Sequence, residues 1–290
     1  MQGESERAAR WLTSWGRVEP LAPGLWRIAE PVGRTGEWGV DWVNAFLVEG
    51  ERRALLFDSG MGVGPLEAVV RLLTAKPLSV VLSHWHWDHA GGARRLAALA
   101  EGVWAHPADG ALLARGEPDD DLRQAVAGEI RRGLLPAEYA LAPGHLGPLP
   151  TRPAEEGRSF DLGGRRALLL HTPGHTPGGL TLLLEPDGWL FPGDLAYRGG
   201  LLWLQEAEAD PAAYARSLDR LAALDGVRAL YGGHDPAPQP PAMLAELRAA
   251  FEEARRRLER GEAEGWGTGA RRVTVDGFGF LMPGGREEER

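Results

Sequence analysis

Residues 80–92, Val-Val-Leu-Ser-His-Trp-His-Trp-Asp-His-Ala-Gly-Gly, constrain this chain more than any other stretch. The aliphatic run at the start reads as a buried strand. It empties into His84, His86, Asp88 and His89 just before Gly91 and Gly92. Three imidazoles and a carboxylate packed into six residues are costly to bury unless something positive binds them. The stretch therefore reads as a metal site, and the rest of the chain must supply the remaining ligands.

Composition narrows the chemistry. There is no cysteine, which excludes disulfides, thiolate zinc sites and a cysteine nucleophile. A metal must then be held by histidine and carboxylate, a donor set that suits zinc, iron or manganese. The net charge of −9 argues against nucleic acid as a partner, which needs a basic footprint. Lys76 is the only lysine, and so complete a skew towards arginine looks like a general compositional bias that says nothing about phosphate binding. With 290 residues, 43% hydrophobic and 25% charged, the chain can bury a substantial core as one soluble domain. Residues 1–16 are charged and lack signal-peptide character, and no stretch approaches the length of a membrane span. A cytoplasmic location, with no membrane partner, is expected.

Along the chain, residues 1–16 read as a flexible or short helical lead-in, with Trp11 and Trp15 on one helix face. Strands are predicted at 25–29, 43–48, 54–57, 78–82, 102–105, 167–170, 180–184, 189–191 and 227–231, with an edge strand at 273–275. Helices are predicted at about 65–73, 91–100, 210–224 and 241–260. Residues 107–150 read as a helical insertion lying over the core, with Asp119-Asp120-Asp121 as helix-capping residues. The tail from 284 to 290 reads as frayed. Strand–helix alternation gives an α/β class.

Four predicted strands end in a candidate ligand: His84 and its neighbours, His175, Asp194 and His234. Each is flanked by glycine, and α/β folds gather their sites at the carboxyl ends of strands. The signatures His84-Trp-His86-Trp-Asp88-His89, Pro173-Gly174-His175-Thr176-Pro177-Gly178, Gly193-Asp194 and Gly233-His234 together resemble the metallo-β-lactamase superfamily, from about Leu25 to His234. The resemblance points to a lactonase- or glyoxalase II-like branch. It implies a four-layer αββα sandwich with two divalent metal ions, zinc first among the candidates, at one edge. His84, His86 and His175 would hold the first metal, Asp88, His89 and His234 the second, and Asp194 would bridge them. Histidine at position 86 disfavours the diiron flavoprotein branch. Asp58 resembles the family's buried acid that orients the ligand loop.

The implied activity is hydrolysis of a small carbonyl ester (a thioester, lactone or apolar acyl ester) by a metal-bridging hydroxide, with Asp88 holding the water and relaying its proton. Phosphodiester hydrolysis by the same fold and an iron-dependent persulfide dioxygenase are the alternatives. β-Lactam hydrolysis is disfavoured by the lack of a secretion signal. Tyr197 stands where lactone-hydrolysing members of the superfamily carry a tyrosine that hydrogen-bonds the substrate carbonyl. Trp38, Trp42 and Trp203 would form an apolar wall for the small-molecule substrate, while Trp85 and Trp87 read as packing residues that hold the ligand loop. His106 and His145 read as loop or cap residues, and His171 as a satisfied neighbour of the site.

Overall fold

The computed structural model describes residues 2–267 and 269–283, so the expected frayed tail at 284–290 lies outside the described residues. The first sheet holds seven strands in chain order: β1 (Arg17–Ala22), β2 (Leu25–Glu30), β3 (Val43–Glu49), β4 (Ala54–Phe57), β5 (Leu78–Val81), β6 (Val103–Ala105) and β7 (Arg152–Pro153). β1 to β4 pair antiparallel, and β4 to β7 pair parallel. The second sheet is built from β8 (Ser159–Asp161), β9 (Arg166–His171), β10 (Leu180–Glu185) and β11 (Trp189–Phe191). Beyond β12 (Leu201–Trp203), which belongs elsewhere, β13 (Ala229–Leu230) closes the second sheet by pairing parallel to β11.

Strand periodicity explains the layering. In β3, Phe46 and Val48 face a core shared with Leu169 of β9 and Leu182 of β10, between the two sheets. Val43, Ala45 and Leu47 point the other way, into the helix-covered layer. Strands buried on both faces read as continuous apolar runs, which is why these were legible in the sequence. Helices α1 (Gln2–Ser14) and α2 (Leu66–Leu73) pack together on one side of the sandwich. Where a helix over 91–100 was expected there is only the short turn α4 (Ala93–Leu96), preceded by the turn α3 (Trp87–Ala90). Gly91 and Gly92 separate them: a Cβ on Gly91 would meet the Met61 carbonyl oxygen at 2.3 Å, so the chain turns tightly against that loop.

Of the two readings of the lead-in, flexible or short helical, the helical one holds, and the helix is docked. Trp11 is fully buried and its indole N–H donates to the Val63 carbonyl at 2.6 Å. The insertion carries α5 (Pro107–Leu113) and α6 (Asp120–Arg131) and buries Leu113, Leu122 and Val126. Asp119 precedes α6 without capping it, its carboxylate accepting instead from the His145 backbone N–H.

Helices α7 (Pro211–Ala222) and α8 (Met243–Glu259) cover the far side. Asp210 caps α7 by accepting from the N–H groups of Ala212 and Ala213. The C-terminal strands were under-read. β14 (Glu264–Trp266), β15 (Ala270–Val275) and β16 (Phe278–Pro283) join β12 in a third sheet of order β12-β16-β15-β14. The segment expected as an edge strand is therefore an interior one.

Candidate metal centre

All seven sequence-derived residues converge at one edge of the sandwich. His84 follows β5, His175 follows β9, Asp194 follows β11 and His234 follows β13. Donor atoms of His84, His86 and His175 lie within 4.8 Å of one another, as do those of Asp88, His89 and His234. In the first group His86 Nδ1 is 3.1 Å from His84 Nε2 and 3.0 Å from His175 Nε2. In the second, Asp88 Oδ2 is 3.8 Å from His89 Nε2 and 3.7 Å from His234 Nε2. Asp194 lies between the groups, 3.1 Å from His89 Nε2 through Oδ1, and 3.0 Å from His234 Nε2 and 3.8 Å from His175 Nε2 through Oδ2.

The outer ring nitrogens decide what the inner ones can do. His175 Nδ1 donates to the Trp203 carbonyl at 2.6 Å, and His234 Nδ1 to the Trp42 carbonyl at 2.7 Å. His89 Nδ1 donates to Asp58 Oδ2 at 2.9 Å. His84 Nδ1 donates to Ser83 Oγ at 2.8 Å, and that hydroxyl donates onward to Asp58 Oδ2 at 2.8 Å. Each Nδ1 proton thereby leaves an Nε2 lone pair aimed inward. Two such lone pairs, from His84 and His175, meet the same His86 nitrogen, which carries at most one proton. Imidazole donors about 2.0–2.1 Å from a tetrahedral ion sit roughly 3.3 Å apart, so the observed spacing fits a divalent cation.

Charge supports the same conclusion. Burial, reinforced by neighbouring histidines, pushes His84 and His86 well below the ordinary imidazole range. Burial also raises the Asp88 carboxyl. Asp194 moves the opposite way: burial opposes its charge, but His234 and His89 outweigh it and hold the carboxyl well below the usual carboxylate range. A buried carboxylate of this kind needs positive charge beside it, as imidazolium or as metal.

Asp58 matches its expected role. It sits at a φ of 64°, a strained conformation for a non-glycine residue, and its Oδ1 accepts from the Ser83 N–H at 2.6 Å. Gly233 permits the crowding, because a Cβ there would lie 2.4 Å from Asp194 Oδ1. Asp109, a residue no sequence signal marked, ties the two ligand loops together. Its fully buried carboxylate accepts from Thr176 Oγ1 at 2.7 Å, the Gly178 N–H at 2.6 Å and the Trp85 N–H at 3.1 Å. Burial outweighs these donors and raises its pKa to about 6.

Tyr197 does not stand where the resemblance placed it. It is 0% exposed, and its hydroxyl donates to the Leu201 carbonyl at 2.5 Å. Its ring packs edge-on against His234, with centroids 4.8 Å apart. Tyr197 braces a candidate ligand from behind, away from the substrate space. Trp42 is also displaced from the expected wall, since the Arg17 guanidinium lies 3.9 Å over its ring. Only its carbonyl serves the site.

A cavity of about 210 Å³ opens over Asp88, Asp194 and the inner histidines. Trp38 and Trp203 line it as expected, and Trp85 and Trp87, which pack against the core, also reach its wall. Trp203 Nε1 donates to the Trp38 carbonyl at 2.9 Å and fixes the wall. Glu117 and Glu206 complete the lining. Burial and the nearby Asp88 raise the Glu117 pKa to about 7. The remaining histidines lie outside the cavity lining. His106 Nδ1 accepts from the Ala108 N–H and stacks on His171, while His145 Nε2 donates to the Met61 carbonyl.

The chain belongs to the metallo-beta-lactamase superfamily, whose pattern it matches over residues 38–234. It is 32% identical over 203 residues to the acyl-coenzyme A thioesterase MBLAC2 of Gallus gallus, covering 66% of this chain and 69% of that protein. The fold is similar to that of the metallo-beta-lactamase family protein TTHA1429 from Thermus thermophilus, with a TM-score of 0.61 at 24% identity and 85% of each chain covered. The structure of TTHA1623 in a di-iron-bound form is 31% identical, with a TM-score of 0.52, covering 70% of this chain and 92% of that one. Fold, donor set and relatives together define a metal-dependent hydrolase. Among the described residues, no helix is long and apolar enough to cross a membrane.

Proposed function

We propose that this chain is a cytoplasmic hydrolase of apolar acyl thioesters that uses two divalent cations, zinc first among them. The observation that carries this reading is the character of the cavity wall. Trp38, Trp87, Trp203 and Val40 offer an apolar surface beside the donor groups, and no arginine or lysine lines the cavity among the described residues. A phosphodiester anion would meet Glu117 and Glu206 there in place of a cation. Similarity to a protein named as an acyl-coenzyme A thioesterase supports the same substrate class. The di-iron form of TTHA1623 makes iron the second metal to consider, since a histidine–carboxylate set accepts either.

In this scheme His84, His86 and His175 would hold one cation and Asp88, His89 and His234 the other, with Asp194 within reach of both groups. Cations so held would supply Lewis acidity towards water and the thioester carbonyl. Asp88 orients the attacking water and takes its proton on a carboxylate oxygen. The acyl carbon gains the water oxygen and its bond to sulfur breaks. The proton on Asp88 then goes to the departing thiolate, giving a carboxylic acid and a thiol. The tryptophan wall holds the acyl chain out of water.

A panel of acyl thioesters, lactones, p-nitrophenyl esters and bis-p-nitrophenyl phosphate, run on protein of measured metal content, tests the proposal. Thioesters should lead in kcat/KM, and a phosphodiester in first place would overturn the substrate class. Asp88→Ala should cut thioester turnover by about a hundredfold or more. Undiminished turnover would remove Asp88 from the reaction.

A further inference from the structure

A second cavity, of about 230 Å³, lies on the third sheet and includes Arg198, Arg272, Trp266, Thr274 and Leu201 in its lining. It is the opposite of the metal cavity in charge: two guanidiniums and no carboxylate line it among the described residues. Arg272 is the informative one. Elsewhere in the C-terminal region Arg248, Arg256, Arg257 and Arg260 each hold a carboxylate. Arg272 makes no ion pair and no side-chain hydrogen bond among the described residues, and its Nε is buried without a partner. Its cross-strand neighbour Glu264 stands opposite in register yet forms no ion pair with it. The guanidinium lies 5.6 Å from the Trp266 ring centre. Arg198 is held over Phe278 at 4.2 Å and ion-pairs with Glu246, which is not part of the lining.

The two cavities share a wall one strand pair thick. Val40 bridges Gly200, and the Leu201 N–H donates to the Gly39 carbonyl at 2.9 Å. Trp38 and Val40 line the metal cavity while Gly39 between them lines the arginine cavity, and along the facing segment Trp203 lines the first and Gly200 and Leu201 the second. The Arg198 backbone is also tied to the metal centre, because its N–H donates to Asp235, the residue after His234, at 2.7 Å. A molecule with its acyl carbonyl over the donor groups can pass over this thin wall, with its far end beside the two arginines.

We propose that the arginine cavity binds the phosphate of the thiol half of the substrate, with a nucleotide base against Trp266 where the thiol carrier has one. The proposal rests on the thioesterase reading for its substrate. It assigns to one chain an apolar acyl subsite and a separate anion subsite. Guanidinium groups suit this role because their planar donors match phosphate oxygens in pairs, and because an indole face accepts both a base and a cation.

Two measurements on the metal-loaded full chain separate this proposal from the thioesterase reading. The first compares kcat/KM for decanoyl-coenzyme A with that for S-decanoyl-pantetheine, which has the same thioester and no phosphate. The coenzyme A substrate should be favoured by about thirtyfold, and Arg272→Gln should bring the ratio towards one. Equal rates in the unaltered protein would overturn the subsite and leave the thioesterase reading intact. The second measurement is calorimetric titration with adenosine 3′,5′-bisphosphate and with 4′-phosphopantetheine, which needs no turnover. Binding that is lost in Arg272→Gln, with the thermal midpoint retained, supports the subsite even if neither thioester is hydrolysed. No binding of either probe, or binding unchanged by the substitution, overturns it. Binding of the bisphosphate, weakened by Trp266→Ala, identifies the nucleotide form of the carrier. Binding of phosphopantetheine alone identifies the arm of an acyl carrier protein.

Discussion

Tyr197 shows how a single side chain can keep its place in the sequence and change its role in space. Three residues after Asp194, it was expected to reach the substrate. Instead the short three-residue helical turn Gly193–Leu195 carries it back into the core, where its hydroxyl meets the Leu201 carbonyl. Burial is the main cause that raises its pKa well above the phenol range, so it stays a neutral donor. Tyr197→Phe should therefore change kcat on thioesters by less than about twofold, while costing about 1–3 kcal/mol of stability for the unpaired carbonyl. Steady-state kinetics and urea unfolding on the same sample check both parts. A large fall in kcat with metal content intact would return Tyr197 to the reaction.

Among the secondary elements, the site depends on a helix that holds none of the seven donors. α5 belongs to the insertion, yet its Asp109 joins the loop after β5 to the loop after β9. Asp109→Ala should loosen both loops, leaving the Trp85 and Gly178 N–H groups without their acceptor. Metal affinity should fall by about ten- to a hundredfold, as for other residues that orient ligands from behind. Competition with a chromophoric chelator measures this directly, and unchanged affinity would reduce Asp109 to a packing residue. The signal was faint in the sequence because one aspartate near a helix start looks like any dipole-compensating residue. The central strands were legible for the opposite reason. β3, β4, β5 and β10 are mostly buried and rich in apolar residues, whereas β1 carries Pro20 and exposed charges and escaped notice.

Across the full sandwich, the metal centre is where loops from both sheets meet. His84 and His86 come from the first sheet, and His175, Asp194 and His234 from the second. Cations held there would clamp the sandwich at that edge. Removal of metal by chelation should lower Tm by about 10 °C, since two sites each at a hundredfold excess over Kd contribute roughly 5 kcal/mol. Stepwise return of zinc, followed by scanning calorimetry, should restore Tm with two equivalents per chain. A plateau at one equivalent would exclude the paired site.

The donor chemistry was already written in the order of the residues. A chain without cysteine that spends five of its eight histidines at glycine-flanked strand ends has few other ways to bury them. The α/β layering was written there too, because two-faced burial shows itself in strand composition. Which side chains stand behind the donors, and which face the substrate, was settled by folding alone. Asp109 and the Trp42 and Trp203 carbonyls take their roles from segments distant in the chain, and Tyr197 sets its ring against His234, 37 residues on. Such roles depend on direction and proximity in space, which local periodicity does not encode.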